Sequence, residues 1–173
     1  MNLYILRHAS AGVRRVNPSL DVKRPLDKEG KQQCILIGSY LNALRVHFEV
    51  VVSSPLKRAL QTASLVGTET GYDGKIQVSE ALSPSASVKD FEALMSTLAH
   101  HENVLVVGHN PNLPVLLSSL LGPKINIRMR KGAIARIDCT RKPGILHWLV
   151  DPRILRGVYA RVTKSSRRKT SRK

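Results

Sequence analysis

The sequence predicts an α/β fold, a three-layer sandwich in which a mostly parallel, open sheet carries helices on both faces. Short apolar runs of strand length alternate with amphipathic segments of 12 to 18 residues, an order typical of parallel strands joined by helices. The 173 residues correspond to one domain and contain no internal repeat. No apolar run approaches the roughly 20 residues that a membrane span needs, so we expect a soluble protein.

The first strand and the first long helix are separated by a polar loop. Residues 2–7 (NLYILR) form a short apolar run, and the loop that follows ends at Pro25 and Leu26. Asp27 has the side chain of a good helix N-cap. Apolar residues then recur every three or four positions from Cys34 to Leu44, which predicts an amphipathic helix.

The same order repeats in the next segment. Residues 48–54 (FEVVVSS) form a β-branched run that predicts a second strand. Ser54 and Pro55 are typical of a helix N-cap and first turn. Apolar residues follow along one helical face from Leu56 to Val66, so a second helix is expected there.

The rest of the chain predicts four more strands and three more helices. They are, in order, a strand in KIQVSEAL, a helix in SVKDFEALMSTLAHH, a strongly apolar strand in NVLVVGHNP, a helix opened by Asn110 and Pro111, strands in GAIARIDC and GILHWLV, and a short last helix in PRILRGVY. We assign residues 1–160 to a single domain that includes all of these elements.

Basic residues are in large excess. The chain has 28 Lys and Arg against 12 Asp and Glu, a formal net charge of +16. Seven of the 28 lie in residues 161–173, which contain no acidic residue and little apolar surface, so we expect this basic tail to be disordered. The charge favours anionic partners of any kind, whether phosphorylated molecules, nucleic acid or acidic proteins.

Two features indicate a cytoplasmic protein. The sequence begins at Met1 without a basic segment followed by an apolar stretch, so we see no secretory signal. The two cysteines, Cys34 and Cys139, are far apart in apolar surroundings. That placement is typical of reduced, buried cysteines rather than of a disulfide or a metal site.

Reactive side chains follow three of the predicted strands. In an open parallel sheet the ligand crevice lies outside the carboxyl ends of the strands. Arg7 and His8 follow the first strand, Arg58 lies in the helix after the second, and His109 follows the fourth. Two helix N-termini open at the same edge and favour negative charge. The sequence therefore predicts an anion site with no carboxylate among its residues.

Each of these residues is weak evidence alone, and the joint placement carries the prediction. The other histidines do not follow strands in this way, and we interpret them as surface or structural residues: His47, His100, His101 and His147.

Three motifs in this order resemble those of a known family. RHAS after the first strand, SSPLKRALQTA after the second and VVGHNP after the fourth are similar to the R-H-G, S-P-x-x-R-x-x-x-T and G-H motifs of the histidine phosphatase superfamily, whose fold is phosphoglycerate-mutase-like. The resemblance covers residues 1 to about 150. Within the superfamily the chain is most similar to SixA-type phosphohistidine phosphatases, which are also short and carry RPL before the first helix. Ala9 stands where glycine is usual.

The resemblance implies a role for each residue of the anion site. His8 is the expected nucleophile, phosphorylated in one half-reaction and hydrolysed in the next, while Arg7, Arg58 and His109 hold the phosphoryl oxygens. Arg24 of the RPL motif is expected either to contact substrate, the interpretation we favour, or to cap and pack. A histidine attacks as the neutral imidazole, and nearby arginines keep it neutral. Since side chains supply the positive charge, no metal and no cofactor is expected.

The sequence is compatible with more than one class of phosphorylated substrate. The resemblance also bears on the depth of the site, because superfamily members that bind small metabolites tend to carry an inserted cap. No such long insertion lies between Val66 and Asp90, so we expect a shallow site that suits phosphohistidine on a protein, such as a histidine phosphotransfer domain. Glu80 lies where many superfamily members carry an acid, and it is either an acid that serves the leaving group or an ordinary surface carboxylate. If it is the acid, a phosphomonoesterase for small phosphorylated molecules is the alternative.

A further alternative is a non-catalytic protein that binds anions or nucleic acid through its basic tail. The tail has no interleaved aromatic residues for base stacking, so such binding would be electrostatic and lost as salt rises. A specific role in nucleic-acid binding is therefore not the favoured interpretation.

Overall fold

A six-stranded sheet forms the centre of the computed structural model, which describes the backbone of residues 1–170 and the side chains of residues 1–161. The strands are, in chain order, β1 (Asn2–Arg7), β2 (Val50–Ser53), β3 (Gln77–Val78), β4 (Asn103–Gly108), β5 (Ile134–Asp138) and β6 (Ile145–Val150). Their order across the sheet is β3-β2-β4-β1-β5-β6. Pairing is parallel from β3 through β1 and antiparallel for β5 and β6, which confirms the mostly parallel sheet.

Helices cover both faces of this sheet. They are α1 (Pro18–Val22), α2 (Lys28–Ala43), α3 (Lys57–Glu69), α4 (Val88–Leu98), α5 (Asn112–Leu121) and α6 (Pro152–Thr170), with a 3₁₀ turn at Glu80–Leu82 after β3. The three-layer α/β sandwich predicted from the alternation of strands and helices is confirmed.

The central strands separate two apolar cores. Leu3 and Ile5 of β1 point into the core formed with α4 and α5, whereas Tyr4 and Leu6 point into the core formed with α2 and α3. All four side chains are buried, as expected for a strand covered on both faces. Because successive side chains alternate between the two cores, the run LYIL fixes the register of β1 and so the place where Arg7 and His8 emerge.

The starts of α2 and α3 show how far local side-chain chemistry decides where a helix begins. Asp27 caps α2 as predicted, and its carboxylate accepts hydrogen bonds from the backbone N–H groups of Gly30 and Gly12, both at 2.7 Å. The predicted N-cap of α3 is wrong: the helix begins at Lys57, with Leu56 as an N-cap that makes no side-chain bond. The hydroxyl oxygen of Ser54 accepts from the backbone N–H of Leu56 at 3.4 Å, and the same hydroxyl contacts a histidine ring, as described below.

Helix α1 lies in the segment that the sequence analysis treats as a loop. Asn17 accepts a hydrogen bond from the backbone N–H of Ser19, and Pro18 occupies the first turn. These are ordinary start signals, but the helix has five residues and none is buried, so no apolar period reveals it. Its importance is positional, because it carries Asp21 toward the site.

Helix α6 is longer than the short last helix that the sequence predicts, and it extends to Thr170. The sequence predicts that the tail 161–173 is disordered. The side chains after residue 161 and the backbone after residue 170 lie outside the described residues, so this stays a prediction. Both cysteines are free. Among the helices described, none has the length and apolar character needed to cross a bilayer.

Candidate active site

The carboxyl ends of three adjacent parallel strands bring the predicted site together. Arg7 of β1 pairs with Gly108 of β4 in register, and Ser53 of β2 pairs with Val107. The backbone N–H of His8 donates to the carbonyl of Gly108 at 3.0 Å, which continues the pairing one residue beyond the strands. The register therefore places His8 and His109 side by side.

The two histidine rings form the floor of the pocket. Their ring centroids are 4.8 Å apart, and the residues are 5% and 2% exposed. The Nδ1 atom of His8 lies 2.8 Å from the carbonyl oxygen of Ala9. Because a carbonyl can only accept, Nδ1 carries the hydrogen in this contact, and Nε2 keeps a free lone pair.

Burial keeps His8 neutral. It lowers the pKa of His8 from 6.5 to about 3, and the positive charges of Arg58, Arg7 and Lys131 act in the same direction, while the hydrogen bond to Ala9 opposes them. An imidazole with such a pKa is unprotonated throughout the physiological range. This is the form in which a histidine acts as a nucleophile.

His109 is held by a residue at the end of β2. The hydroxyl oxygen of Ser54 lies 2.8 Å from Nε2 of His109, while Nδ1 is buried without a hydrogen-bond partner among the described residues. Burial lowers the pKa of His109, the charges of His8 and Arg58 act in the same direction, and together they bring it from 6.5 to about 2. With the Ser54 hydroxyl donating to Nε2, Nδ1 carries the hydrogen and can donate to an anion.

Arg58 is buried in the first turn of α3 and is 6% exposed. Its Nη1 atom donates to the carbonyl of Asp21 at 3.0 Å and contacts the Asp21 carboxylate at 3.4 Å. Thr62, one turn further along, donates its hydroxyl hydrogen to the Arg58 carbonyl at 2.7 Å and accepts from the backbone N–H of Ala9 at 3.1 Å. Thr62 thus ties α3 to the segment that carries His8.

Arg7, the last residue of β1, contacts the loop that precedes β5. Its Nη1 atom donates to the carbonyl of Met129 at 2.9 Å, and the amide of Asn110 donates to the same oxygen at 3.1 Å. The backbone N–H of Gly132 in turn donates to the carbonyls of Arg7 and His8. The loop before β5 therefore forms a second wall of the pocket, a placement that the sequence analysis missed.

Three nitrogen donors of this pocket are buried without a hydrogen-bond partner among the described residues: Nε of Arg7, Nε of Arg58 and Nδ1 of His109. Burial lowers the pKa of both guanidinium groups from their usual value, but arginine remains charged in proteins. Buried donors are almost always paired. Three unpaired donors beside one free imidazole lone pair are the arrangement expected of a site for an oxyanion.

Arg24 and Asp21 form a pair beside Arg58. Arg24 donates from Nε to the Asp21 carboxylate at 2.8 Å and from Nη1 to the carbonyl of Ala11 at 2.7 Å. Burial raises the pKa of Asp21, but hydrogen bonds from the Arg15 backbone and the Arg24 guanidinium outweigh it and bring the value to about 2. The expectation of a site without a carboxylate is wrong, because Asp21 is an ionised member of it.

One wall of the pocket includes helix α1. Helix α1 contacts Arg58 through Asp21, and both histidines at the floor are nearly inaccessible. The segment from Gly12 to Lys23 thus reaches the site through Asp21, and the shallow site expected from the sequence stays a prediction. Asp21 gives no periodic or strand-end signal; only its position three residues before Arg24 could have drawn attention to it.

Comparisons with known proteins agree with this geometry. The sequence model described as histidine phosphatase superfamily (branch 1) matches residues 3–84. Phosphohistidine phosphatase SixA of Escherichia coli is 27% identical over 155 residues, which cover 88% of this chain and 94% of that protein. The chain belongs to the histidine phosphatase superfamily. Within this superfamily it is SixA-like, and the likeness supports phosphatase activity.

Two further similarities are to a second sequence and to a solved structure. An uncharacterized protein of Picosynechococcus is 36% identical over 116 residues, which cover 65% of this chain and 68% of that protein. The structure of the protein histidine phosphatase SixA complexed with tungstate superposes with a TM-score of 0.80 at 28% identity. The superposed region covers 90% of this chain and 99% of the SixA chain, which confirms the phosphoglycerate-mutase-like fold.

Two further candidate residues make contacts with residues outside the set of donors described above. Glu80 is exposed in the 3₁₀ turn after β3, and its carboxylate accepts a hydrogen bond from the hydroxyl of Ser83. His101 contacts Glu49 at 3.3 Å, near the amino end of the parallel strands. Within the described part of the chain, no group of three or more His, Cys, Asp and Glu side chains is placed to hold a metal ion.

Proposed function

We propose that the protein removes the phosphoryl group from phosphohistidine in a partner protein, through a phosphorylated His8 intermediate. The observation that carries this proposal is the free Nε2 lone pair of a neutral, buried His8 beside three unpaired nitrogen donors. Nucleophile and oxyanion donors are the two parts that a metal-independent phosphoryl transfer requires.

In the first half-reaction, the Nε2 lone pair of His8 forms a bond to phosphorus as the P–N bond of the substrate breaks. The electron pair of that bond returns to the substrate imidazole, which takes up a proton from solvent. Arg7, Arg58 and His109 donate hydrogen bonds to the phosphoryl oxygens, where negative charge spreads in the transition state. The hydrogen on Nδ1 of His8 remains bonded to the Ala9 carbonyl, so the imidazolium formed on attack is stabilised.

In the second half-reaction, water attacks the phosphorus of phosphorylated His8. The P–Nε2 bond breaks, the oxygen of water gains the phosphoryl group and its proton is released. The products are inorganic phosphate and neutral His8. The low pKa of His8 favours return of the ring to its neutral state for the next turnover.

The surroundings of two carboxyl groups, Asp21 and Glu80, favour a P–N over a P–O substrate. An alkoxide is a poor leaving group and depends on a proton from a general acid, whereas imidazole leaves with little assistance. Asp21 is ionised, with a pKa of about 2, and the Glu80 carboxylate is exposed and bonded to Ser83. The similar protein of Escherichia coli is named a phosphohistidine phosphatase, which supports the same substrate class here.

A histidine phosphotransfer domain is the partner that we propose. The surplus of basic residues would speed the encounter with an acidic protein. Arg24 is held by Asp21 and by two backbone carbonyls, so we propose that it supports substrate binding mainly by keeping Asp21 and Arg58 in place.

Release of ³²P from a labelled phosphotransfer domain tests the proposal. The wild-type protein should release inorganic phosphate in a reaction that His8→Ala abolishes, and it should hydrolyse 2-glycerophosphate, an alkyl ester with an alkoxide leaving group, far more slowly. A matched control is His47→Ala, since His47 is exposed at the other end of β2. Label lost no faster with wild-type than with His8→Ala protein would contradict the proposed function.

A further inference from the structure

A basic recess adjoins the pocket on the side of Arg7. It has a volume of about 460 Å³, and its lining contains five cationic and two acidic side chains. Met129, which is 1% exposed, is part of the lining. Its carbonyl accepts from Arg7 and Asn110, so the recess and the pocket share a wall. A ligand group in the recess would therefore lie next to a phosphoryl group on His8.

The acidic side chains of this recess are already paired. Asp151 accepts from Arg153 at 2.8 Å and lies 3.6 Å from Arg130. Glu29 lies 3.3 Å from the amide of Gln33 and 3.8 Å from Arg156. Their negative charge is thus neutralised within the protein, and it does not cancel the remaining cations of the recess.

Two cations of the recess remain available. Neither Arg128 nor Lys131 forms a salt bridge within 4.0 Å among the described residues. Lys131 is close enough to His8 and to Asp27 to lower the pKa of both. Arg128 is exposed. Since the recess combines unpaired positive charge with a position beside the nucleophile, it suits a second negative group on the substrate.

The form of the recess favours a protein ligand over a small one. Small-molecule sites enclose most of their ligand with preformed walls. At the edge of the recess, however, the side chains of Arg130 and Arg153 are 51% and 55% exposed. Exposed arginines adjust to carboxylates on a protein surface, and their guanidinium groups bind carboxylates through two hydrogen bonds.

We infer that this recess binds an acidic side chain of the protein substrate that lies beside the phosphohistidine. The inference rests on the proposed function for the identity of the phosphorylated group, and it adds a selectivity for acidic surroundings. Arg128 and Lys131 are the residues that provide this selectivity.

Binding of labelled peptides tests the inference separately from catalysis. Fluorescein-labelled nonapeptides with a central phosphotriazolylalanine, a stable phosphohistidine analogue, would carry Glu or Gln at the flanking positions. An exposed ion pair changes affinity by up to about fivefold, so two pairs should give the Glu peptide roughly tenfold tighter binding at low salt. Anisotropy titrations with the His8→Ala protein measure this preference, which should shrink at high salt.

The double variant Arg128→Gln/Lys131→Gln should reduce the preference to less than about twofold. The matched control is Arg141→Gln/Lys142→Gln, which removes the same charge from exposed residues after β5, at the opposite end of β1. It should keep the preference of the parent protein. A charge swap, Arg128→Glu, should favour a Lys-flanked peptide and shows that a loss of preference does not come from misfolding.

Three results would overturn the inference: equal binding of the Glu and Gln peptides, a preference that persists in the recess variant, or an equal loss in the control variant. A turnover assay with phosphohistidine peptides separates the two proposals. If phosphate release requires His8 but its rate does not depend on the flanking residues, the result would support the proposed function and contradict the role of the recess. A flank preference in binding without His8-dependent release would contradict the proposed function alone.

Discussion

The floor of the pocket and its rim differ in burial and in the way the chain positions their charged groups. His8, Arg58 and His109 at the floor are each at most 6% exposed. His8 and His109 directly follow β1 and β4, and Arg58 lies in the first turn of α3. Packing in the two apolar cores fixes the positions of these elements. The rim consists of Asp21 on α1 and the loop before β5, and it depends on salt bridges and single hydrogen bonds.

This difference suggests a division of tasks. Groups that must meet a phosphoryl transition state within a few tenths of an ångström are built on rigid elements. Groups that distinguish one substrate from another lie on loops, which tolerate change without loss of the fold. Substitutions at the floor should therefore abolish turnover, while those at the rim should change affinity and selectivity by smaller factors.

The largest effect after loss of the nucleophile is expected at Arg58. Arg58→Ala removes a preorganised donor, so kcat should fall by about 10² to 10³, as measured by release of phosphate from phosphoramidate, a minimal P–N substrate. Lys57→Ala is the matched control, because Lys57 is exposed in the same turn of α3 and should leave kcat unchanged. Similar rates for the two variants would show that Arg58 does not contact the transition state.

The next effect concerns stability at mildly acidic pH. The unfolded protein protonates histidine below pH 6.5, but folded His8 binds a proton only near its pKa of about 3. The free energy of unfolding should therefore be highest above pH 6.5 and fall as the pH is lowered toward 3, with His8 accounting for about 2 kcal/mol between pH 6.5 and 5.

Urea unfolding at pH 7 and at pH 5 measures this loss. Because His109 also has a lowered pKa, the His8→Gln variant should show a weaker but still measurable dependence on pH. A wild-type stability that does not change over this range would mean that the floor is accessible to protons and to water.

A smaller effect is expected at the rim from Asp21→Asn. The carboxylate of Asp21 lies 3.4 Å from Arg58, where it repels an incoming anion. Removing its charge should lower the inhibition constant of inorganic phosphate by about three- to fivefold. Asp73→Asn, which changes an exposed residue ahead of β3, should have no effect. Weaker inhibition in Asp21→Asn would instead assign Asp21 a purely supporting role for Arg58 and Arg24.

The smallest effect is expected at Glu80. With a P–N substrate, Glu80→Gln should change kcat by less than about threefold, because imidazole needs little acid assistance. Phosphoramidate and 2-glycerophosphate, an alkyl phosphate ester, compared side by side give the measurement. A loss of 10² or more on a phosphoester that is otherwise turned over well would favour the phosphomonoesterase alternative and make Glu80 its general acid.

The sequence predicts the floor well and the rim poorly, for physical reasons. Burial on both faces gives β1 and β4 continuous apolar runs, and parallel pairing then requires His8 and His109 to be neighbours. Asp21, Arg128 and Lys131 reach the site through loops whose course depends on distant contacts, such as the bond from Arg7 to Met129. No local pattern encodes such contacts, so the carboxylate beside Arg58 and the basic recess become visible only in three dimensions.

The side chain of Ser54 gives the same lesson for a single residue. Its type and the following proline are typical of a helix N-cap, yet the hydroxyl lies 2.8 Å from His109, and α3 starts three residues later without a side-chain cap. The hydroxyl oxygen keeps a long local hydrogen bond from the Leu56 N–H at 3.4 Å, but its shorter contact is the tertiary one with His109.

The central claim is that His8 carries the phosphoryl group during turnover. It is tested most directly by mixing the protein with a ³²P-phosphohistidine phosphotransfer domain, stopping the reaction in alkali within milliseconds and mapping the label. We expect alkali-stable, acid-labile label on the peptide that contains His8, and none in the His8→Ala protein. Label on another residue, or unchanged phosphate release by His8→Ala, would contradict the account.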